Sequence, residues 1–131
     1  KRGINISYKN DGKNKYLIYG IENRIEQIIA NLLDNAISFS DDNKDVIVQV
    51  SKSQDDKVYI TILDEGRGFK EKDTNKIFKR FYSNRPDKFG QHSGLGLNIV
   101  KNLVDLHNAT IKASNRQDKK GASMEIEFPK V

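Results

Sequence analysis

Between Asn23 and Ser40 the apolar residues Ile25, Ile28, Ile29, Leu32, Leu33, Ala36 and Ile37 recur at helical spacing. That is the stripe of a helix laid against a core. Glu22 stands near its start, where a negative charge suits the helix dipole. The polar run Ser40–Asn43 ends it. A second helix is predicted over Gly94–His107, capped by Ser93, with Leu95, Ile99, Val100, Leu103, Val104 and Leu106 on its apolar side. Asn108 suits the left-handed conformation that closes such a helix.

Elsewhere the period falls to two. Val46–Ser51 and Lys57–Leu63 alternate and are joined through Ser53-Gln54-Asp55-Asp56, which predicts a hairpin. Ala109–Ser114 and Ala122–Phe128 form a second pair, with Met124, Ile126 and Phe128 on one face and Glu125 and Glu127 on the other. Their connection, Asn115–Gly121, is charged and ends in glycine. At the start, Gly3–Lys9 alternates and Tyr16–Tyr19 is a short apolar run after Asn10-Asp11-Gly12. These predict one or two strands that could pair as a hairpin. A short helix is expected from Asp73 to Phe81, and Ser83–Ser93 reads as a loop rich in breakers. Paired strands with clean alternation imply a mixed, mostly antiparallel sheet. Two or three helices on one face would make an α+β two-layer sandwich.

A chain of 131 residues with 36% hydrophobic and 31% charged residues suits one domain with a real core. It has no cysteine, which excludes disulfides, a thiolate zinc site and a cysteine nucleophile. The two histidines, His92 and His107, are far apart, so a histidine-rich metal site is not expected. No apolar run approaches the roughly 20 residues of a membrane span, and no signal peptide is visible. Net charge is +5, but the 23 basic residues are scattered among 18 acidic ones. No nucleic-acid partner is expected; a polyanion such as a nucleotide suits the balance. Lys1 leads directly into strand-like sequence, which suggests a fragment of a longer protein.

Three features carry candidate chemistry. Asn31 and Asn35 lie one turn apart on the rim of the first helix, so their amides face the same way. They are either aimed at a ligand or simply solvated. Asp64-Glu65-Gly66-Arg67-Gly68 follows a buried-looking strand. A carboxylate there can accept a hydrogen bond from the exocyclic amine of adenine, although the same residues alone also suit an ordinary turn. Gly90–Leu97 (GQHSGLGL) opens a helix, where unpaired N–H groups favour phosphate oxygens. It is neither a Walker motif nor a dinucleotide fingerprint.

Order and spacing add what no single motif supplies. NLLDNA (Asn31–Ala36), DEGRGF (Asp64–Phe69), IFKRFYS (Ile77–Ser83) and GLGLNIVKNLV (Gly94–Val104) resemble the N, G1, F and G2 boxes of sensor histidine kinases. The resemblance is to their ATP-binding catalytic domain, of the GHKL or Bergerat fold, and covers essentially the whole of residues 1–131. The segment FYSNRPDKFGQHSGLGL with NAISFS is similar, more narrowly, to membrane sensor kinases of the ChvG/ExoS type, which answer acid or envelope signals.

The resemblance implies ATP and Mg²⁺ as ligands and phosphoryl transfer to a histidine. Asn35 would coordinate Mg²⁺ and Asn31 would sit beside metal and triphosphate, the two making up the catalytic pair. Asp64 would bind the adenine amine, with Gly66, Gly68 and Phe69 shaping the pocket. Gly94 and Gly96 would bring backbone amides to the phosphates, with Leu95 and Leu97 packed nearby. Residues 83–93 would be the ATP lid, anchored by Phe78 and Phe81, which also read as plain core aromatics. Many of these kinases carry lysine where Ser38 stands and arginine where Ser83 stands. Arg85, Lys79, Arg80 or Lys88 could supply the missing charge, and Arg85 is the one taken as a ligand here. Asn108-Ala109 replaces the usual Gly-Gly, a change expected to be structural only.

Related ATPases place a glutamate at or near the Asn31 position to activate water. An amide cannot act as a general base, which favours kinase over hydrolase. The alternatives are a degenerate nucleotide-binding module without phosphotransfer, or another ATPase of this fold. Neither histidine has the acidic neighbour typical of a phosphoacceptor. The acceptor would lie on an upstream dimerisation domain, and a response regulator would receive the phosphate next. The domain alone is expected to be a monomer facing the cytoplasm, and its parent a homodimer in the inner membrane.

Overall fold

The computed structural model describes residues 3–10, 16–40, 42–69, 77–78 and 96–131. In chain order the elements are β1 (Asn5–Asn10), α1 (Glu22–Phe39), β2 (Asp45–Lys52), β3 (Val58–Leu63), α2 (Gly96–Leu106), β4 (Thr110–Asn115) and β5 (Ala122–Phe128). One sheet runs β1-β2-β3-β5-β4, with β1–β2 parallel and the other pairs antiparallel. This is the expected α+β sandwich.

Alternation decides the faces. Val58, Ile60 and Ile62 of β3 lie opposite Phe128, Ile126 and Met124 of β5. Beyond them Ile111 and Ala113 of β4 continue the row, and all of these side chains are buried. On the other face Tyr59 and Thr61 pair with Glu127 and Glu125, and Lys57 meets Glu127 at 3.2 Å. Both helices pack on the apolar face, α1 over β2 and β3 and α2 over β4. Helix α1 buries Ile28, Leu32 and Ala36, with Ile25, Ile29, Leu33 and Ile37 half-buried beside them. That is the predicted stripe.

Two expectations are corrected. The first strand does not form a hairpin with Tyr16–Tyr19. It pairs in parallel with β2, Ile6 opposite Val46, across the crossover that holds α1. The run at 16–19 alternates because Tyr16 and Ile18 pack on the core while Leu17 and Tyr19 face solvent. It is no strand, and it leads into α1. On α2 the buried row is Val100 and Val104, flanked by half-buried Leu97 and Leu103 and continued by His107. Ile99 and Leu106 fall off that row and are 37% and 60% exposed. The helix is described from Gly96, and the predicted cap at Ser93 lies outside the described residues. So does most of the Asp73–Phe81 helix, of which Ile77 and Phe78 are described and buried.

The two helices are tied end to end. Ile21, the residue before α1, offers no side-chain cap. Its N–H donates to His107 Nε2 at 3.1 Å, and His107 Nδ1 lies 2.7 Å from the Leu103 carbonyl. A backbone N–H can only donate, so the ring proton sits on Nδ1 and donates to Leu103. Asn108 takes the left-handed conformation, φ 57°, that turns the chain from α2 into β4.

Candidate functional site

The site grows from the end of β3. Asp64 follows the strand directly and is 4% exposed. A buried carboxylate needs donors, and among the described residues Oδ1 accepts the Gly66 N–H at 2.9 Å and the Ala122 N–H at 3.1 Å. The Asp64 N–H in turn donates to the Ala122 carbonyl at 3.0 Å. The carboxylate is therefore oriented by backbone from its own loop and from β5.

Gly66 brings that loop against the end of α1. It forms an isolated antiparallel bridge with Ser40, and a Cβ on Gly66 would lie 2.2 Å from the Phe39 carbonyl oxygen. Any side chain here would push the loop off the helix. Ser40 Oγ also accepts the Glu65 N–H at 3.4 Å. Asn31, Asn35 and Phe39 share one i, i+4 row of α1, so the row carrying both half-buried amides ends at Gly66.

Glu65 fixes the other side of the loop. Its carboxylate accepts the Asp45 N–H at 2.8 Å, and Lys119 Nζ lies 3.6 Å away. The hydrogen bond from Asp45, and then the charge of Lys119, hold its carboxyl below the usual glutamate value. Phe69, at the end of the DEGRGF segment, is 9% exposed and belongs to the core. Phe78 is likewise core, and its carbonyl accepts a hydrogen bond from the Asn98 side chain of α2 at 3.1 Å. Leu97 is half-buried beside the core. Gly96 is exposed, and among the described residues nothing lies within 4 Å of its Cβ position.

Asp64 and Gly66 thus lie at the C-terminal end of α1, with Asn35 and Asn31 one and two turns back from Phe39 along the same helix row. Phe81, Arg85, Gly94, Leu95 and the lid at 83–93 lie outside the described residues. Among those described, no three His, Cys, Asp or Glu side chains could hold a metal ion between them. What α1 offers is amide oxygen from Asn31 and Asn35. That set suits a hard cation that keeps its waters and is held mainly by phosphates.

Sequence reasoning missed Ser40, Asn115, Arg116 and Ala122, all of which hold the Asp64 loop. Asn115 and Arg116 looked like the start of a charged turn, and no local signal marks a partner 46 or 52 residues away.

Residues 20–131 match the family model described as Histidine kinase-, DNA gyrase B-, and HSP90-like ATPase. The sensor protein ChvG of Agrobacterium fabrum is 36% identical over 128 residues, 92% of this chain and 21% of that protein. The chain thus spans about a fifth of the length of this curated relative. Among solved structures, the catalytic domain of histidine kinase ThkA superposes with a TM-score of 0.82 at 26% identity, covering 98% of this chain and 80% of that one. ThkA is also known in complex with the response regulator protein TrrA (TM-score 0.78, 25% identity, 99% and 35% covered). Full-length ShkA in complex with AMPPNP gives 0.81 at 26% identity, covering 98% of this chain and 26% of that one.

Proposed function

Because this chain belongs to the histidine kinase-, DNA gyrase B- and HSP90-like ATPases, we propose that it is the ATP-binding catalytic domain of a sensor histidine kinase. The observation that carries the reading is the buried Asp64 carboxylate. It is oriented by two backbone N–H groups at the end of the helix row that bears Asn31 and Asn35. Asp64 accepts the adenine amine, with Gly66, Gly68 and Phe69 forming the loop around it. Asn31 and Asn35 face the triphosphate, and Asn35 supplies an amide oxygen to Mg²⁺. That ion, when bound, neutralises charge on the phosphates. Gly94 and Gly96 meet the phosphates at the start of α2 beside Leu95 and Leu97. Phe78 and Phe81 anchor the lid, and Arg85 supplies its cation.

In the reaction a histidine nitrogen attacks the γ-phosphorus, an N–P bond forms, and the bond to the bridging oxygen of ADP breaks. His107 is not the acceptor, because both ring nitrogens are engaged inside the fold. The acceptor belongs to a dimerisation domain of the parent protein, which passes the phosphoryl group to a response regulator. The kinase–regulator complex of ThkA supports that partner class. The parent is anchored in the bacterial inner membrane with this domain in the cytoplasm, and the similarity to the sensor protein ChvG supports a sensor as that parent. Alone, the domain is a monomer. With an amide at Asn31 no side chain there can deprotonate water, which favours transfer over hydrolysis.

The test is calorimetric titration of the domain with a non-hydrolysable ATP analogue, with and without Mg²⁺. Asp64→Asn keeps an oxygen for Gly66 and Ala122 but presents an N–H₂ where the adenine amine would donate. It should weaken binding by about tenfold or more, roughly the loss of one good hydrogen bond. Asn35→Asp should change the response to Mg²⁺ without abolishing nucleotide binding. No binding by the unaltered domain at millimolar analogue would sink the reading in favour of an interaction module.

A further inference from the structure

The turn between β4 and β5 is built as a clamp on the Asp64 loop. Asn115, at the end of β4, uses its side-chain amide as a backbone pair would. Its Oδ1 accepts the Phe69 N–H at 2.6 Å and its Nδ2 donates to the Phe69 carbonyl at 3.1 Å. Arg116 reaches the other end of the same loop. One guanidinium nitrogen donates to the Asp64 carbonyl at 3.1 Å, while Nε and Nη2 grip the Asp118 carboxylate at 3.0 and 2.8 Å. The Arg116 side chain is only 4% exposed, whereas Asp118 is 64% exposed. A guanidinium is costly to bury, and this one spends its rigid fork on a surface carboxylate and one backbone oxygen.

Two glycines allow the approach. Gly68 has φ +78°, and a Cβ on it would lie 2.5 Å from Asn115 Oδ1. Gly121 has φ +144°, and a Cβ on it would lie 2.0 Å from the Asp64 carbonyl oxygen. Residues 64 and 69 are thus gripped by side chains from 115 and 116, and the Asp64 carboxylate by the N–H of 122. The Arg116 and Ala122 contacts converge on Asp64 itself, while Asn115 holds the far end of its loop.

We propose that Asn115 and Arg116 are positioning residues for nucleotide choice, setting the height and rotation of the Asp64 carboxylate. Held there, the carboxylate accepts from the 6-amino group of adenine and repels a purine with a 6-carbonyl. The proposal rests on the reading of Asp64 given above.

The test compares ATP with inosine triphosphate, which carries a carbonyl in place of that amine, by calorimetry on the 131-residue domain. Arg116→Met keeps the apolar stem and removes the donors, and Asn115→Ala removes the other grip. Each should lower the ATP-over-ITP preference by about tenfold, mostly through weaker ATP binding. Asp118→Ala, at an exposed side chain, should lower it by about threefold. It decides alone if the other two fail to fold. If the variants keep the unaltered preference, losing only stability or losing both nucleotides equally, the turn is structural and the proposal falls. If the unaltered domain binds ATP and ITP alike, the proposal fails while nucleotide binding stands. If it binds neither, the Asp64 reading itself has failed.

Discussion

Single residues here act through backbone as often as through side chains. Asp64 is oriented by two amides and reached by one guanidinium, and none of these belongs to the four boxes beyond Gly66. Glu65 shows how charge is used beside it. Its carboxyl is held below the ordinary glutamate value of 4.5 by the Asp45 N–H and by Lys119. A depressed folded-state value contributes stability that is present above the unfolded value and lost as pH falls through the folded one. Glu65→Gln should therefore destabilise the domain near neutral pH. The difference from the unaltered protein should shrink as pH drops below about 4.5 and vanish below the folded value, as urea melts across pH 3 to 7 would read. A gap that stayed constant through that window would assign Glu65 no ionic role.

At the scale of elements, the two helices are coupled through His107. Its Nε2 serves as the cap that Ile21 cannot provide for itself. His107→Phe keeps the bulk but strands the Ile21 N–H, and should cost about 1–3 kcal/mol in chemical denaturation. His107→Gln, which can still accept, should recover part of that loss. Elements of this kind divide by how far their causes reach. The α1 stripe, both hairpins and the left-handed Asn108 were legible because periodicity and turn chemistry act over a few residues. The parallel pairing of β1 with β2 was not, because an edge strand's partner is settled by which sheet edge remains open. The exposure of Ile99 and Leu106 was not either, since apolar content alone does not say where a helix is rotated. Of the site, Asp64, Gly66 and the two asparagines stood out by type and spacing. The Asn115 and Arg116 grips did not, because asparagine and arginine before a turn look the same whatever lies behind them.

On the scale of the whole molecule, the sheet beyond its edge strand β1 is two hairpins, β2–β3 and β4–β5, joined along the line where β3 meets β5. Each hairpin is local in sequence, whereas the joint pairs Val58 with Phe128 and Leu63 with Ser123. Asp64 sits at the end of this joint. Its chain comes from the first hairpin, and its N–H, carbonyl and carboxylate are met by Ala122 and Arg116 from the second. The proposed adenine pocket therefore exists only while the two halves are sewn together, and a nucleotide bound there would act as a stitch across the seam. By mass action, ligand at about 100 times its Kd adds about 2.7 kcal/mol to the folded state. Saturating ATP should raise the unfolding temperature by several degrees. In a chain split between Lys70 and Gly96, the two pieces should find each other better with nucleotide present than without it.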